Sequence, residues 1–262
     1  MDRQGLILCA RYAAAPNFFG YCGPDKNKTI IDQLKEKTAD KEMTYLLSEF
    51  ETLYPYLSLI AYENGVKDPF DRRVVEAYWI GNHYLKKIPA GDCLSFFDER
   101  LQLTKKIGQK DYEKIKKKVF SYNFLPNHCF HVFNIFKRTV GLVSKHTLET
   151  IDNCKISFGQ VTKFPENQKV KITNQGHKMK SKDRYITVRA KPLMSINNKL
   201  LFGKAVVKTI SLAYREKIFI GELKPGDWVS FHWGMICDIL TLKQVKNLEF
   251  YTQKAVEFYN LS

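Results

Sequence analysis

Apolar residues recur at helical spacing through most of the first half of the chain. Met43 to Phe50 carries this spacing after a charged stretch that opens at Lys28, and Tyr54 to Tyr62 is a second apolar run closed by Asn64-Gly65. Asp68-Pro69 reads as a helix start, the aspartate capping and the proline in the first turn. That helix is expected to continue through Arg72, Arg73, Val74, Val75 and Trp79 to about Leu85, until Pro89-Ala90-Gly91 breaks it. Asp92 to Lys106 and Asp111 to Phe120 predict two more helices, and Asn127 to Phe136 a short segment rich in aromatics.

The texture changes around Thr147 to Asn153. Short β-rich runs then alternate with polar turns: Lys155 to Lys163, Lys169 to Thr173, Tyr185 to Ala190, Lys199 to Ile210 and Trp228 to Phe231. Glu166-Asn167 and Asn197-Asn198 have hairpin-turn chemistry. Several short strands at close spacing predict a small barrel. Leu242, Val245, Leu248, Tyr251, Thr252, Ala255 and Phe258 then mark one face of a final helix over Thr241 to Tyr259. The expected fold class is α+β: an all-helical domain over residues 1–146, then a small β-barrel domain over 147–262 with a closing helix.

Composition narrows this picture. A hydrophobic share of 44% supports a substantial core and argues against wholesale disorder. No window approaches the roughly 18 to 20 continuous apolar residues of a membrane span, and Leu6 to Ala10 is too short for a secretory core. A cytoplasmic protein is expected. The six cysteines contain no Cys-x-x-Cys pair, so buried thiols with one or two metal ligands are expected rather than disulfides. The formal charge of +15 is uneven: after residue 150 there are 19 basic and 9 acidic residues, and nearly all of that excess lies between Lys155 and Lys208.

The chemistry concentrates in two segments. Cys154 stands in Cys154-Lys155-Ile156-Ser157-Phe158-Gly159-Gln160-Val161, and His232 in Gly226-Asp227-Trp228-Val229-Ser230-Phe231-His232-Trp233-Gly234. Each reads as a strand or strand end beside a glycine. A thiolate and an imidazole brought together by a barrel would hold one transition-metal ion with open positions. Trp228 and Trp233 would exclude water, and Asp227 would orient the imidazole.

These segments resemble the HypC family of nickel–iron hydrogenase maturation chaperones, small β-barrels with a closing helix. Gly159 and Val161 follow Cys154 at the family's offsets, and Gly226, Asp227, Val229, His232 and Gly234 match its second motif. The departures are that Cys154 is internal, that Phe158 replaces the family's proline, and that the intervening segment is longer. The resemblance implies that Cys154 and His232 ligate iron bearing cyanide and carbon monoxide. The implied partner is a maturation scaffold or the hydrogenase large subunit. The chain as a whole looks like an uncharacterised bacterial family.

Further candidates lie in the first half. His128 and His131, at i and i+3, would share a helix face and reach a metal together. Cys22, on a glycine-flanked turn, is a candidate thiolate. Arg72 and Arg73 would pair with Glu76 or bind an anion. Two other readings compete with the carrier. In one, Lys171, Lys180, Lys182 and Arg184 track nucleic-acid phosphates while Tyr185 stacks on a base. In the other, the His128 and His131 pair serves a metal-dependent enzyme. No His-Glu-x-x-His, P-loop or nucleophile elbow occurs, so a carrier is expected rather than an enzyme.

Overall fold

The computed structural model describes residues 2–25, 27–122, 124–136, 148–163, 185–214 and 220–261. Helices come first, strands follow, and a long helix ends the chain. The first half comprises α1 (Arg3–Phe18), α2 (Asn27–Glu36), α3 (Lys41–Ser48), α4 (Leu53–Glu63), α5 (Arg72–Trp79), α6 (Ala90–Glu99), α7 (Leu103–Ile107), α8 (Gln109–Ser121) and a short α9 (His128–Phe130), which runs into a π-helical stretch (His131–Phe136). After α10 (Leu148–Cys154) come β1 (Ser157–Lys163), β2 (Tyr185–Ala190), β3 (Leu193–Ile196), β4 (Lys199–Phe202), β5 (Val206–Ser211), β6 (Trp228–His232) and β7 (Met235–Leu240), and then α11 (Leu242–Asn260). No strand precedes β1 among the described residues.

Helix α1 is the central element, and periodicity does not reveal it. Leu6, Cys9, Ala10, Tyr12 and Ala13 are all fully buried, so the helix has no polar stripe to set its phase. Asp2 caps it, accepting from the amides of Gln4 (2.9 Å) and Gly5 (3.1 Å). The same carboxylate accepts from Arg72 N at 2.8 Å, which locks the start of α5 against α1. Gly5 is required at this crossing: a Cβ there would lie 1.8 Å from the Phe70 carbonyl oxygen.

Several predicted boundaries shift for local reasons. Helix α5 starts at Arg72 rather than Pro69 because Asp71 is the residue that caps it, accepting from Arg73 N. It ends at Trp79 rather than near Leu85, because the backbone turns at Gly81 (φ +97°) to let Tyr251 of α11 pack there. The segment read as one helix from Asp92 to Lys106 is two, α6 and α7, with Gln102 at φ +50° between them. Cys154 is the last residue of a helix, not part of a strand. The run from Lys199 to Ile210 is two strands. The Asn197-Asn198 turn holds, both residues having positive φ between paired β3 and β4.

Five strands form one sheet in the order β1-β2-β5-β7-β6, and β1 also pairs with β6, so the sheet closes on itself. Its interior holds Val161, Ile186, Val188, Val229, Phe231 and Ile236. Alternation along β6 sends Val229 and Phe231 into that interior and turns Ser230 and His232 outward. The outward face meets α1: the Tyr12 hydroxyl and Ser230 Oγ are 2.8 Å apart, and Arg11 pairs with Asp238 at 2.8 Å. The larger core runs without interruption from the first helices through Ile156, Tyr214 and Met235 to Phe258 of α11. Helix α11, opened by a Thr241–Gln244 capping box, bonds to the helical half through Gln244 to Glu76 (2.9 Å) and through the Tyr251 hydroxyl to Asn82 O (2.6 Å). It reaches β4 through Asn260 and Leu200.

The hairpin predicted at Glu166-Asn167, the strand Lys169 to Thr173 and the domain boundary at 146/147 lie outside the described residues, as do Lys171, Lys180, Lys182 and Arg184. None of the described helices is long and apolar enough to cross a membrane.

Candidate metal centre

Cys154 and His232 meet, and one backbone contact brings them together. The turn joining β6 to β7 is Trp233-Gly234, both residues with positive φ (+52° and +71°). Glycine accepts this conformation freely, whereas a tryptophan held there is strained, a condition that clusters at functional sites. Trp233 N donates to Asn153 O at 2.9 Å. Asn153 precedes Cys154 and Trp233 follows His232, so this single hydrogen bond sets the two candidate ligands side by side.

Helix α10 is anchored independently. Asp152 accepts from Lys155 (2.8 Å), from Lys208 of β5 (2.7 Å) and from Leu193 N of β3 (2.8 Å). Lys155 is buried and also donates to Ser157. Burial lowers its pKa, and Asp152 opposes that shift. Lys155 and Trp228 line a cavity of about 280 Å³ with Phe158, Phe202 and Val245. Trp228 therefore does not shield the metal ligands, as the sequence suggested. Asp227 accepts from Lys224 N (2.7 Å) instead of orienting His232.

The third member is His128. Single donor atoms of His128, Cys154 and His232 all lie within 4.8 Å of one another. His128 opens α9, where Asn127 caps the turn by accepting from Phe130 N at 2.9 Å. Its Nε2–H donates to Cys154 O (2.9 Å), and the Tyr78 hydroxyl lies 3.3 Å from its Nδ1. His232 Nδ1–H donates to Tyr12 O at 2.9 Å, which leaves the Nε2 lone pair free. That nitrogen is buried and has no hydrogen-bond partner. A buried acceptor with nothing to accept from is costly, and a cation would satisfy it.

The environment sets protonation. Burial pushes His232 down to about 4, and the Tyr12 carbonyl that accepts from Nδ1 offsets it in part. Burial also holds His128 well below its usual range, and neighbouring His232 adds to that. Both rings are thus neutral at pH 7, the form that ligates metals. Burial raises the Cys154 thiol, and so do the nearby Cys22 and Cys129 thiols, while the Trp233 indole lowers it. Trp79 packs on both rings, 4.6 Å from His128 and 5.9 Å from His232 between centroids, and keeps water out. The rings of His128 and His232 stand edge to face at 5.1 Å.

His131 does not join its predicted partner. The chain widens into the π-helical stretch after His128, and His131 Nδ1 lies 3.3 Å from the Tyr56 hydroxyl instead. Cys22 is exposed as a residue. The guanidinium of Arg73 pairs with Asp71 (2.7 Å), not Glu76, and Arg72 reaches Gln4 (3.2 Å). Sequence reasoning missed Tyr12, Tyr78, Trp79 and Lys155 as site-builders. Tyr78-Trp79 at the end of a helical pattern was the legible signal for two of them, and the other two carried none.

Compared with known proteins, the chain matches the model of the "Family of unknown function (DUF6390)" over residues 1–262 and belongs to that family. No curated protein and no solved structure matches it, so the HypC likeness rests on the two short motifs alone.

Proposed function

We propose that this member of the DUF6390 family is a metal-carrying accessory protein, with His128, Cys154 and His232 as ligands. The observation that carries the reading is the convergence of two neutral imidazoles and a thiol from three separate elements, with His232 Nε2 unpartnered among them. One thiolate with two imidazoles suits a soft or borderline transition ion and disfavours magnesium or calcium. Loading deprotonates Cys154 and releases that proton to solvent. For His128 to ligate through Nε2, its ring proton moves to Nδ1, where the N–H donates a hydrogen bond to the Tyr78 hydroxyl oxygen, and Cys154 O gives up the Nε2–H it accepts in the free protein. Tyr12 O already holds the His232 tautomer that ligation needs.

The cargo reading is iron bearing cyanide and carbon monoxide, delivered to a hydrogenase maturation scaffold or large subunit by a small β-barrel of the HypC type. It draws on the Cys154 and His232 motifs and on the water-excluding indoles of Trp79 and Trp233. The test is metal analysis and infrared spectroscopy on the full chain, purified without oxygen from cells that express hydrogenase maturation proteins. Iron with cyanide and carbonyl stretches, lost in Cys154→Ala and His232→Ala, is the expected result. A metal other than iron, bound without such bands, would remove the cargo reading and leave the centre. A metal-free protein that also refuses added metal would remove both.

A further inference from the structure

The outer face of the barrel and helix α11 do not close on each other completely, and the space between them is the cavity of about 280 Å³. Pairing across three strands sets its floor. Gln160 of β1 stands opposite both Trp228 of β6 and Arg189 of β2, so the three side chains share the outward face, and Phe158, two residues before Gln160, joins them. Val245, Glu249 and Thr252, at i, i+4 and i+7 of α11, form the opposite wall. The walls offer flat apolar surface: the Phe158 and Trp228 rings lie 6.0 Å apart between centroids, and Phe202 of β4 lines the same space. The charge around it is cationic. Lys155 and Lys208 share Asp152, Lys191 pairs with Glu249 at 3.2 Å, and Arg189 has no carboxylate partner among the described residues. Four cations therefore meet two carboxylates. Lys155 is 2% exposed; two of its three N–H groups go to Asp152 and Ser157, and the described residues offer the third no acceptor. A buried ammonium donor left open is costly, and an anionic oxygen in the cavity would satisfy it.

We propose that this cavity binds a small organic carboxylate with a flat apolar body: Lys155 and Arg189 hold the carboxylate, and the Phe158, Trp228 and Phe202 rings enclose the body. The volume lies just under the ~300 to 1,000 Å³ of drug-sized ligand sites, which suits a single-ring acid. Inorganic phosphate lacks the body that the rings would cover, and a neutral ring lacks the charge that Lys155 and Arg189 would meet. The site needs no metal, so its success or failure is separate from that of the metal-carrying reading.

The test is a nitrogen-15 NMR titration of the metal-stripped full chain with benzoate, phenylacetate and cinnamate, followed at the indole N–H of Trp228, which Trp228→Phe assigns. Saturable shifts of that signal with at least one of the three acids, and none with benzyl alcohol or inorganic phosphate at the same concentration, are expected. Lys155→Met would leave buried Asp152 short of a partner, so the variants are placed at exposed residues of the rim. Arg189→Gln should weaken binding about tenfold. Ala205→Trp should block the cavity and abolish binding while the rest of the spectrum is retained. No shift with any of the three acids, equal binding of benzyl alcohol or phosphate, or carboxylate binding that either variant leaves unchanged overturns the proposal.

Discussion

Acidification should destabilise this protein steeply and well above the carboxylate range, because three buried histidines resist protonation. Burial drives His131 down to about 3 and His232 to about 4, against an ordinary value of 6.5, and holds His128 well below it. The unfolded chain therefore takes up protons first as the pH falls through 6.5. Stability is fully present above 6.5 and is lost progressively down to the folded-state values. Each such group contributes about 1.36 kcal/mol per pH unit in that window. Between pH 7 and pH 5, His131 and His232 together cost about 4 kcal/mol, and His128 adds to that. Asp238, whose carboxyl burial raises, opposes the trend while Arg11 holds it down. A domain of this kind has about 5 to 15 kcal/mol in total, so the loss is a large share. Urea unfolding of the metal-stripped chain, followed by circular dichroism at pH 7 and pH 5, measures it. His131→Phe should remove about 1.36 kcal/mol per pH unit from the slope. Equal stability at the two pH values would refute the reasoning.

Other consequences follow from the same contacts. Zinc affinity should rise at least tenfold per pH unit between pH 6.5 and 8, because the raised Cys154 thiol must lose a proton to ligate; Cys154→Ser should flatten that dependence, and a pH-independent wild type would contradict it. Gly5→Ala should cost more than about 3 kcal/mol in chemical denaturation, since the neighbouring atoms are backbone and cannot give way. Thr241→Ala should cost about 1 kcal/mol by removing the capping box of α11, with no change in metal stoichiometry.

The order of elements was legible in the sequence because amphipathic helices and alternating strands report their own burial. The α11 face and the Asn197-Asn198 turn are local patterns; the structure keeps the turn and buries the face from Val245 to Phe258, while Leu242 at the helix start is exposed. Helix α1 was illegible because most of its circumference is buried, with only Arg3 and Gln4 exposed and Ile7, Arg11 and Phe18 half-buried, so its apolar residues mark no single face. The end of α5 was illegible because Gly81 answers to Tyr251, a residue far along the chain. The site divides the same way. Two short motifs singled out Cys154 and His232, and their meeting depends on the Trp233 to Asn153 bond that no spacing encodes. His128 was found for a mistaken reason, as the partner of His131. Its true partners lie on other elements, and the π-helical stretch carries His131 toward Tyr56.

The most direct test of the metal centre is a titration of the metal-stripped full chain with cobalt(II), read by visible absorption. One equivalent should bind with tetrahedral bands and a thiolate charge-transfer absorption, both abolished in Cys154→Ser and weakened or shifted in His232→Gln while the variants remain folded. No cobalt spectrum in the wild type, or one that survives unchanged in both variants, would contradict the account.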